Sequence, residues 1–267
     1  MPNINQQSAA NLAKIRESRP LVHNITNFVV MNFTANILLA CGASPVMAHA
    51  LNEVEEMVVF AKALVLNIGT LTDDWVNAMV KAGKKATSLG IPIILDPVGA
   101  GATTLRTNAA RRILEETGVS LVRGNASEIL ALAGARSNTR GVDAADTVDQ
   151  ASEQAIRLAR ELGVPVAITG PQDLITDGNR VIRVNNGHPL MGAVTGTGCG
   201  ATTVIAAFAA VDPDPVTAAA TALAFYGLAG ERAAAGADGP GSFVPRFLDS
   251  LYNLTPTELE INGRING

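Results

Sequence analysis

The chain has 267 residues and a formal net charge of −4 at pH 7, with 48% hydrophobic and 16% charged residues. That balance excludes a disordered chain or a coiled coil and allows a sizeable buried core. It also argues against a broad nucleic-acid-binding surface. The only cysteines, Cys41 and Cys199, are too few for a disulfide framework and suit a reducing compartment.

The N-terminal stretch MPNINQQSAANLAKIRESRP has no apolar signal-peptide core, and no later apolar run has transmembrane length. The expectation is a cytoplasmic protein without a membrane partner. LVHNITN (Leu21–Asn27) reads as a short strand ending in a polar cluster. His23 there either meets a ligand or satisfies local backbone. The stripe Phe28, Met31, Ala35 and Leu38 reads as the core face of a helix, and Cys41 in LLACGAS as a small buried hydrophobe.

Aliphatic runs then alternate with helical patterns. PVMA (Pro45–Ala48), ALVLNIG (Ala63–Gly69), IPIILDPV (Ile91–Val98), SLVRGN (Ser120–Asn125) and VPVAITG (Val164–Gly170) read as strands covered on both faces. Asp73–Leu89 carries acids first and lysines later, matching a helix dipole. Thr107–Thr117 and Ala151–Leu162 read as further helices. This alternation predicts an α/β fold, one domain over residues 1–267, with a mainly parallel sheet flanked by helices on both faces. DLITDGNRVIRVNNG (Asp173–Gly187) has Asp-Gly between alternating runs, the mark of a hairpin, so antiparallel strands join the sheet there. Helices follow over Cys199–Val211, Val216–Ala235 and Phe243–Leu254.

Ligands of such sheets gather at the carboxyl ends of the strands. The residues found there are Asn67 and Gly69, then Asp96, Pro97 and Gly99, then Arg123 to Asn125, then Thr169 and Gly170. Asp96 is either a carboxylate for a metal or water near phosphate, or an Asp-Pro turn. In RGNASEI, Asn125 or Ser127 can cap a helix with Glu128 reaching back. Arg123 suits phosphate oxygens, and Glu128 suits Mg²⁺ through water. VTGTGCGATT is the most informative stretch. Gly196, Thr197, Gly198 and Cys199 offer bare backbone amides at a helix start, an anion hole for a phosphoryl group in transfer. Helix-start placement predicts a lowered thiol pKa for Cys199. His49 and His188 read as loop residues, and no His or Cys pair has zinc spacing.

HNITNFVVMNFTANILLACGASPVMAHA, LDPVGAGAT, RGNASEI and GTGCGATT, in that order, resemble the hydroxyethylthiazole kinases of the ribokinase-like superfamily, over nearly the whole chain. The resemblance implies a ribokinase-like fold and transfer of the ATP γ-phosphoryl group to the primary alcohol of 4-methyl-5-(2-hydroxyethyl)thiazole, a thiamine-salvage step, with Mg²⁺. It implies a homotrimer with thiazole sites between subunits. It places Met47 and the Gly196 backbone at the thiazole, with Asn24 and Thr26 lining the same pocket. Arg123 and Thr169 would bind ATP phosphates, Asp96 and Glu128 would organise Mg²⁺, and Cys199 would stand where the wider superfamily has an aspartate base. Two alternatives stay open on the residues alone. One is another ribokinase-like enzyme, a hydroxymethylpyrimidine kinase or an NAD(P)H-hydrate dehydratase. The other is a thiol enzyme with Cys199 as nucleophile and His23 or His188 as its base.

Overall fold

The computed structural model describes residues 3–134 and 144–267. In chain order its elements begin with α1 (Ile4–Ser18), β1 (Leu21–Ile25), α2 (Met31–Cys41), β2 (Ser44–Val46), α3 (Val54–Val58), β3 (Ala63–Asn67), α4 (Asp73–Ser88) and β4 (Ile93–Asp96). They continue with α5 (Thr104–Glu116), β5 (Leu121–Gly124), α6 (Ala126–Leu132), α7 (Ala144–Leu162), β6 (Val166–Ile168), β7 (Asp173–Thr176) and β8 (Val181–Val184). A short 3-10 turn at Pro189–Ala193 leads into α8 (Thr197–Ala209), α9 (Pro215–Ala234), α10 (Pro240–Asn253), α11 (Pro256–Asn262) and β9 (Ile265–Asn266).

The nine strands among the described residues form one sheet in the order β2-β1-β3-β4-β5-β6-β7-β8-β9. Pairing is parallel from β2 through β6 and antiparallel from β6 through β9. The expected hairpin is β7–β8. Strand side chains alternate between two cores, as a period of two requires. Val22, Val65, Ile94 and Leu121 face one core, which α1, α2, α8, α9 and α10 complete. Leu64, Leu66, Ile93, Leu95 and Val122 face the other, under α3 to α7. No described helix is long and apolar enough to cross a membrane.

Helix starts follow local chemistry. Asn3 and Gln6 make a capping box at α1, an element the sequence reading left unassigned. Thr72 caps α4, whose first turn carries Asp73 and Asp74. The Phe28 stripe is corrected. α2 begins only at Met31, and its buried face is Thr34, Ile37, Leu38 and Cys41. Phe28 precedes the helix and is 63% exposed. Cys41 is buried, as read from sequence.

α8 and α9 are Ala-rich because they are central. α8 packs on β1, β3 and β4 and between α2 and α9. A Cβ at Gly200 would lie 2.6 Å from Ile37 Cδ1 and would also strike the Tyr226 hydroxyl. This close approach seats α8 over the middle of the sheet, with its N-terminus at the carboxyl rim.

Candidate active site

The parallel order lines up six strand ends on one rim. From the β2 edge inward come Met47, then Thr26 and Asn27, then Asn67 to Gly69, then Asp96 to Gly99, then Arg123 to Asn125, and Thr169 with Gly170. The start of α8 stands over the centre of this row.

That start has no side-chain cap, and Gly196 before it is left-handed at φ +87°. The first helical hydrogen bond runs from the Gly200 amide to the Gly196 carbonyl at 2.8 Å. The amides of Thr197, Gly198 and Cys199 therefore face the helix mouth with the positive end of the dipole behind them. The turn has two sides. A Cβ on Gly198 would sit 2.9 Å from Arg123 Nη1, whereas one on Gly196 would sit 2.8 Å from Val30 Cγ1. The helix mouth thus borders β5 on one side and the β1–α2 turn on the other.

On the β5 side opens a cavity of about 700 Å³, of the size that takes a cofactor-scale ligand. Arg123, Thr169, Asp173, Gly198, His188 and Tyr226 are among its lining residues. Arg123 donates a hydrogen bond to Thr169 Oγ1, which aims the guanidinium. Its Nη1 lies 3.7 Å from Asp96 Oδ2, and its buried Nε has no partner. Tyr226 donates to the Thr197 carbonyl at 2.9 Å, anchoring the α8 start from α9. Leu223 and Met191 supply apolar wall.

Beneath the mouth lies a buried polar chain. Asn27 Nδ2 donates to Asn67 Oδ1 at 2.9 Å, and Asn67 Nδ2 donates to Asp96 Oδ2 at 2.8 Å. Thr202 of α8 donates to the same Asp96 oxygen at 2.8 Å. Asp96 Oδ1 is buried without a partner. Burial, opposed by Arg123, pushes the Asp96 pKa up to about 6. Cys199 Sγ lies 3.6 Å from Asn27 Nδ2. The expectation of a lowered thiol pKa is overturned. Burial first, then the Asp96 carboxylate, pushes Cys199 up to about 11, outweighing Asn67, Arg123 and Asn27. Desolvation dominates here, and a thiol pushed that high is protonated at neutral pH.

Glu128 realises the capping reading. Its Oε2 accepts from the Asn125 amide and its Oε1 from the Gly99 amide, both at 2.8 Å. It therefore ties the Asp96–Gly99 loop to α6 and couples electrostatically to Asp96. The donor set fits Mg²⁺. Asp96 offers an unpartnered oxygen, Glu128 stands close by, and no group of three or more His, Cys, Asp or Glu gathers among the described residues. Mg²⁺ takes such a site through one or two carboxylates, waters and substrate phosphates rather than an all-protein cage.

Other sequence candidates divide. Met47 is half-buried just past the edge strand β2. Thr26 is buried at the end of β1. Asn24 is fully buried. It donates to the Val22 carbonyl at 3.0 Å and accepts from Thr203 at 2.5 Å, tying β1 to α8. His23 is buried, with Nε2 2.7 Å from the Ala48 carbonyl, so it serves local backbone. His49 stacks on Trp75 with ring centroids 4.1 Å apart. His188 caps the 3-10 turn, accepting from the Leu190 amide at 3.2 Å, and lines the large cavity. The thiol-enzyme alternative thus has a protonated sulfur and two histidines engaged elsewhere.

Sequence reasoning missed Asn27 as a site residue, and it missed Asp173. Asp173 opens β7, is buried, and accepts from the Gly170 amide at 3.0 Å on the cavity wall. Burial pushes its pKa up to about 7, against the Gly170 bond and Arg123. The only signal was an acid four residues after Thr169, across a Gly-Pro turn.

Comparison with known proteins bears on the family and the fold. The model of the hydroxyethylthiazole kinase family matches residues 12–257. A hydroxyethylthiazole kinase of Desulfotalea psychrophila is 63% identical over 99% of this chain and 97% of its own length. The solved structure of a hydroxyethylthiazole kinase from Pyrococcus horikoshii superposes with TM-score 0.90 at 46% identity, covering 97% of this chain and 98% of that one. A ribokinase-like superfamily protein from Enterococcus faecalis shares the fold alone, with TM-score 0.63 and 14% identity over 93% and 89% of the two chains.

Proposed function

The chain belongs to the hydroxyethylthiazole kinase family, and on that premise we propose that it transfers the γ-phosphoryl group of ATP to the primary alcohol of 4-methyl-5-(2-hydroxyethyl)thiazole, a salvage step toward thiamine in the cytoplasm. The observation that carries this reading is the uncapped start of α8, which bears Cys199 and is bordered by Arg123 on one side and by Asn27 and Val30 of the β1–α2 turn on the other.

The cavity beside Arg123 takes the nucleotide, with its phosphates toward Arg123, Thr169 and the amides of Thr197 and Gly198. The alcohol approaches from the β1–β2 side, near Met47, Thr26 and the Gly196 backbone. Its oxygen attacks the γ-phosphorus as the bond to the β-phosphate oxygen breaks. The loose transition state asks for positioning and charge neutralisation more than for a strong base. Arg123 and the bare amides supply the neutralisation. Cys199, neutral and held beside Asn27, orients the hydroxyl, whose proton passes late to an oxygen of the phosphoryl group in transfer. Asp96 and Glu128 would hold Mg²⁺, which when bound screens the phosphate charge.

A homotrimer with shared sites completes the proposal. Phe28, Val29, Leu39, Leu51, Val59 and Phe60 are exposed apolar residues around β1, β2, α2 and α3, near the half-buried Met47, and such a patch suits a subunit interface. The test is purified protein with Mg·ATP and the thiazole alcohol, read by phosphorus NMR. Formation of the thiazole phosphate with ADP is the expected result; ATP binding with no transfer to this alcohol overturns the proposal. In solution the particle mass should be three times the 27.6 kDa chain mass, and F60D should lower it.

A further inference from the structure

We propose that Asn27 is a positioning residue for the transfer step, holding Cys199 and Asp96 in one rigid relay, and that Gly69 lacks a side chain in order to seat it. The inference rests on the kinase reading above and deepens it.

Asn27 and Asn67 are 4% and 1% exposed, so their amides must find partners within the protein. The orientation of each is determined by those partners. The Val29 amide donates to Asn27 Oδ1 at 3.1 Å, which turns Asn27 Nδ2 toward Asn67 and Cys199. The Gly69 amide donates to Asn67 Oδ1 at 3.0 Å, beside the bond from Asn27. Asn67 Nδ2 is then left pointing at Asp96 Oδ2. Asn27 Nδ2 thus donates both to the Cys199 sulfur and to Asn67 Oδ1, and Asn67 Nδ2 donates on to the carboxylate. The chain spans the strand ends of β1, β3 and β4, the stretch of rim under the α8 mouth.

Gly69 supplies an independent observation. Its φ is not in the left-handed region, so backbone conformation does not call for glycine there. A Cβ there would nevertheless lie 2.5 Å from Asn27 Nδ2, 2.6 Å from its Cγ and 2.8 Å from its Cβ. The space at residue 69 is occupied by Asn27 alone among its nearest neighbours. A side chain at position 69 would therefore displace Asn27, and with it the nitrogen that faces the Cys199 sulfur.

The test is a double-mutant cycle of N27A and G69A in the full-length enzyme, with initial rates measured over both the thiazole alcohol and Mg·ATP. Each single variant should lower kcat by about 10- to 100-fold, the cost of misplacing a reacting group by roughly an ångström. Both KM values should stay within about threefold, since neither ligand loses its main contacts. G69A added to N27A should cost less than about twofold more, because the clash has gone. A wild-type kcat in N27A, or losses that multiply in the double variant, overturns the proposal. If N27A does not fold, N27S takes its place, and failure of both to fold marks Asn27 as purely structural and overturns it too. G69A that folds only in the N27A background supports the seat, and G69A that folds in neither overturns it. Wild-type protein that phosphorylates no thiazole alcohol sinks the function itself and is recognised before any variant is compared.

Discussion

Cys199 illustrates how local surroundings override position. A helix start favours a thiolate, yet Cys199 is half-buried, close to the Asp96 carboxylate, and its pKa is pushed up to about 11. A protonated thiol is a weak base and a reasonable hydrogen-bond partner. C199A should therefore lower kcat by about 10- to 100-fold without abolishing it, and C199D should remain active. Steady-state kinetics on the two folded variants checks this, and complete loss in both would assign the sulfur a covalent role. Arg123 carries a different load. It is held by Thr169, lies within ion-pair range of Asp96 and faces the cavity. R123A should weaken ATP binding far more than thiazole binding in direct titrations, because only the nucleotide side loses its cation.

At the scale of elements, the α8 start does most of the work, and it was the part most legible in the sequence. GTGCG reads as bare amides whatever surrounds it, and the strand-end residues follow from the position of each aliphatic run. What pairs with what was not legible. Asn27 meets Asn67 only because β1 and β3 are neighbours in parallel register, and no local pattern encodes that adjacency. In HNITN the resemblance singled out Asn24 and passed over Asn27, yet Asn24 falls within β1 and turns to Thr203. The Cys199 shift was hidden for the same reason, since burial is a tertiary property. Gly198 gives a test at this scale. A methyl there would press on Arg123 Nη1 from 2.9 Å, so G198A should raise the KM for Mg·ATP by about tenfold while the melting temperature moves little. Rates over an ATP series and a thermal melt decide it.

Over the whole molecule, two buried acids make the ligand-free protein sensitive to pH. Asp96 is pushed up to about 6 and Asp173 up to about 7. A carboxyl whose folded pKa is raised favours folding while protonated, so its contribution is complete below the unfolded value of about 3.9. That contribution is lost as pH rises through the folded value. D173N keeps an oxygen for the Gly170 amide and removes the titration. Its melting temperature should gain on wild type from pH 4 to 7 and then level off above about pH 8. A constant difference across that range would place the Asp173 carboxyl in water. The Ala-rich helices bear on assembly as well. α8 and α9 are buried within the chain, so they offer little surface to a second subunit.

The divided surroundings of the α8 turn, Arg123 against Gly198 and Val30 against Gly196, also bear on traffic. Two reactants that dock from opposite flanks of one helix do not block each other's door, so neither has to arrive first. Double-reciprocal plots should intersect, and ADP should compete with ATP but not with the alcohol. A compulsory sequence of arrival would mean that one occupant builds the other's berth.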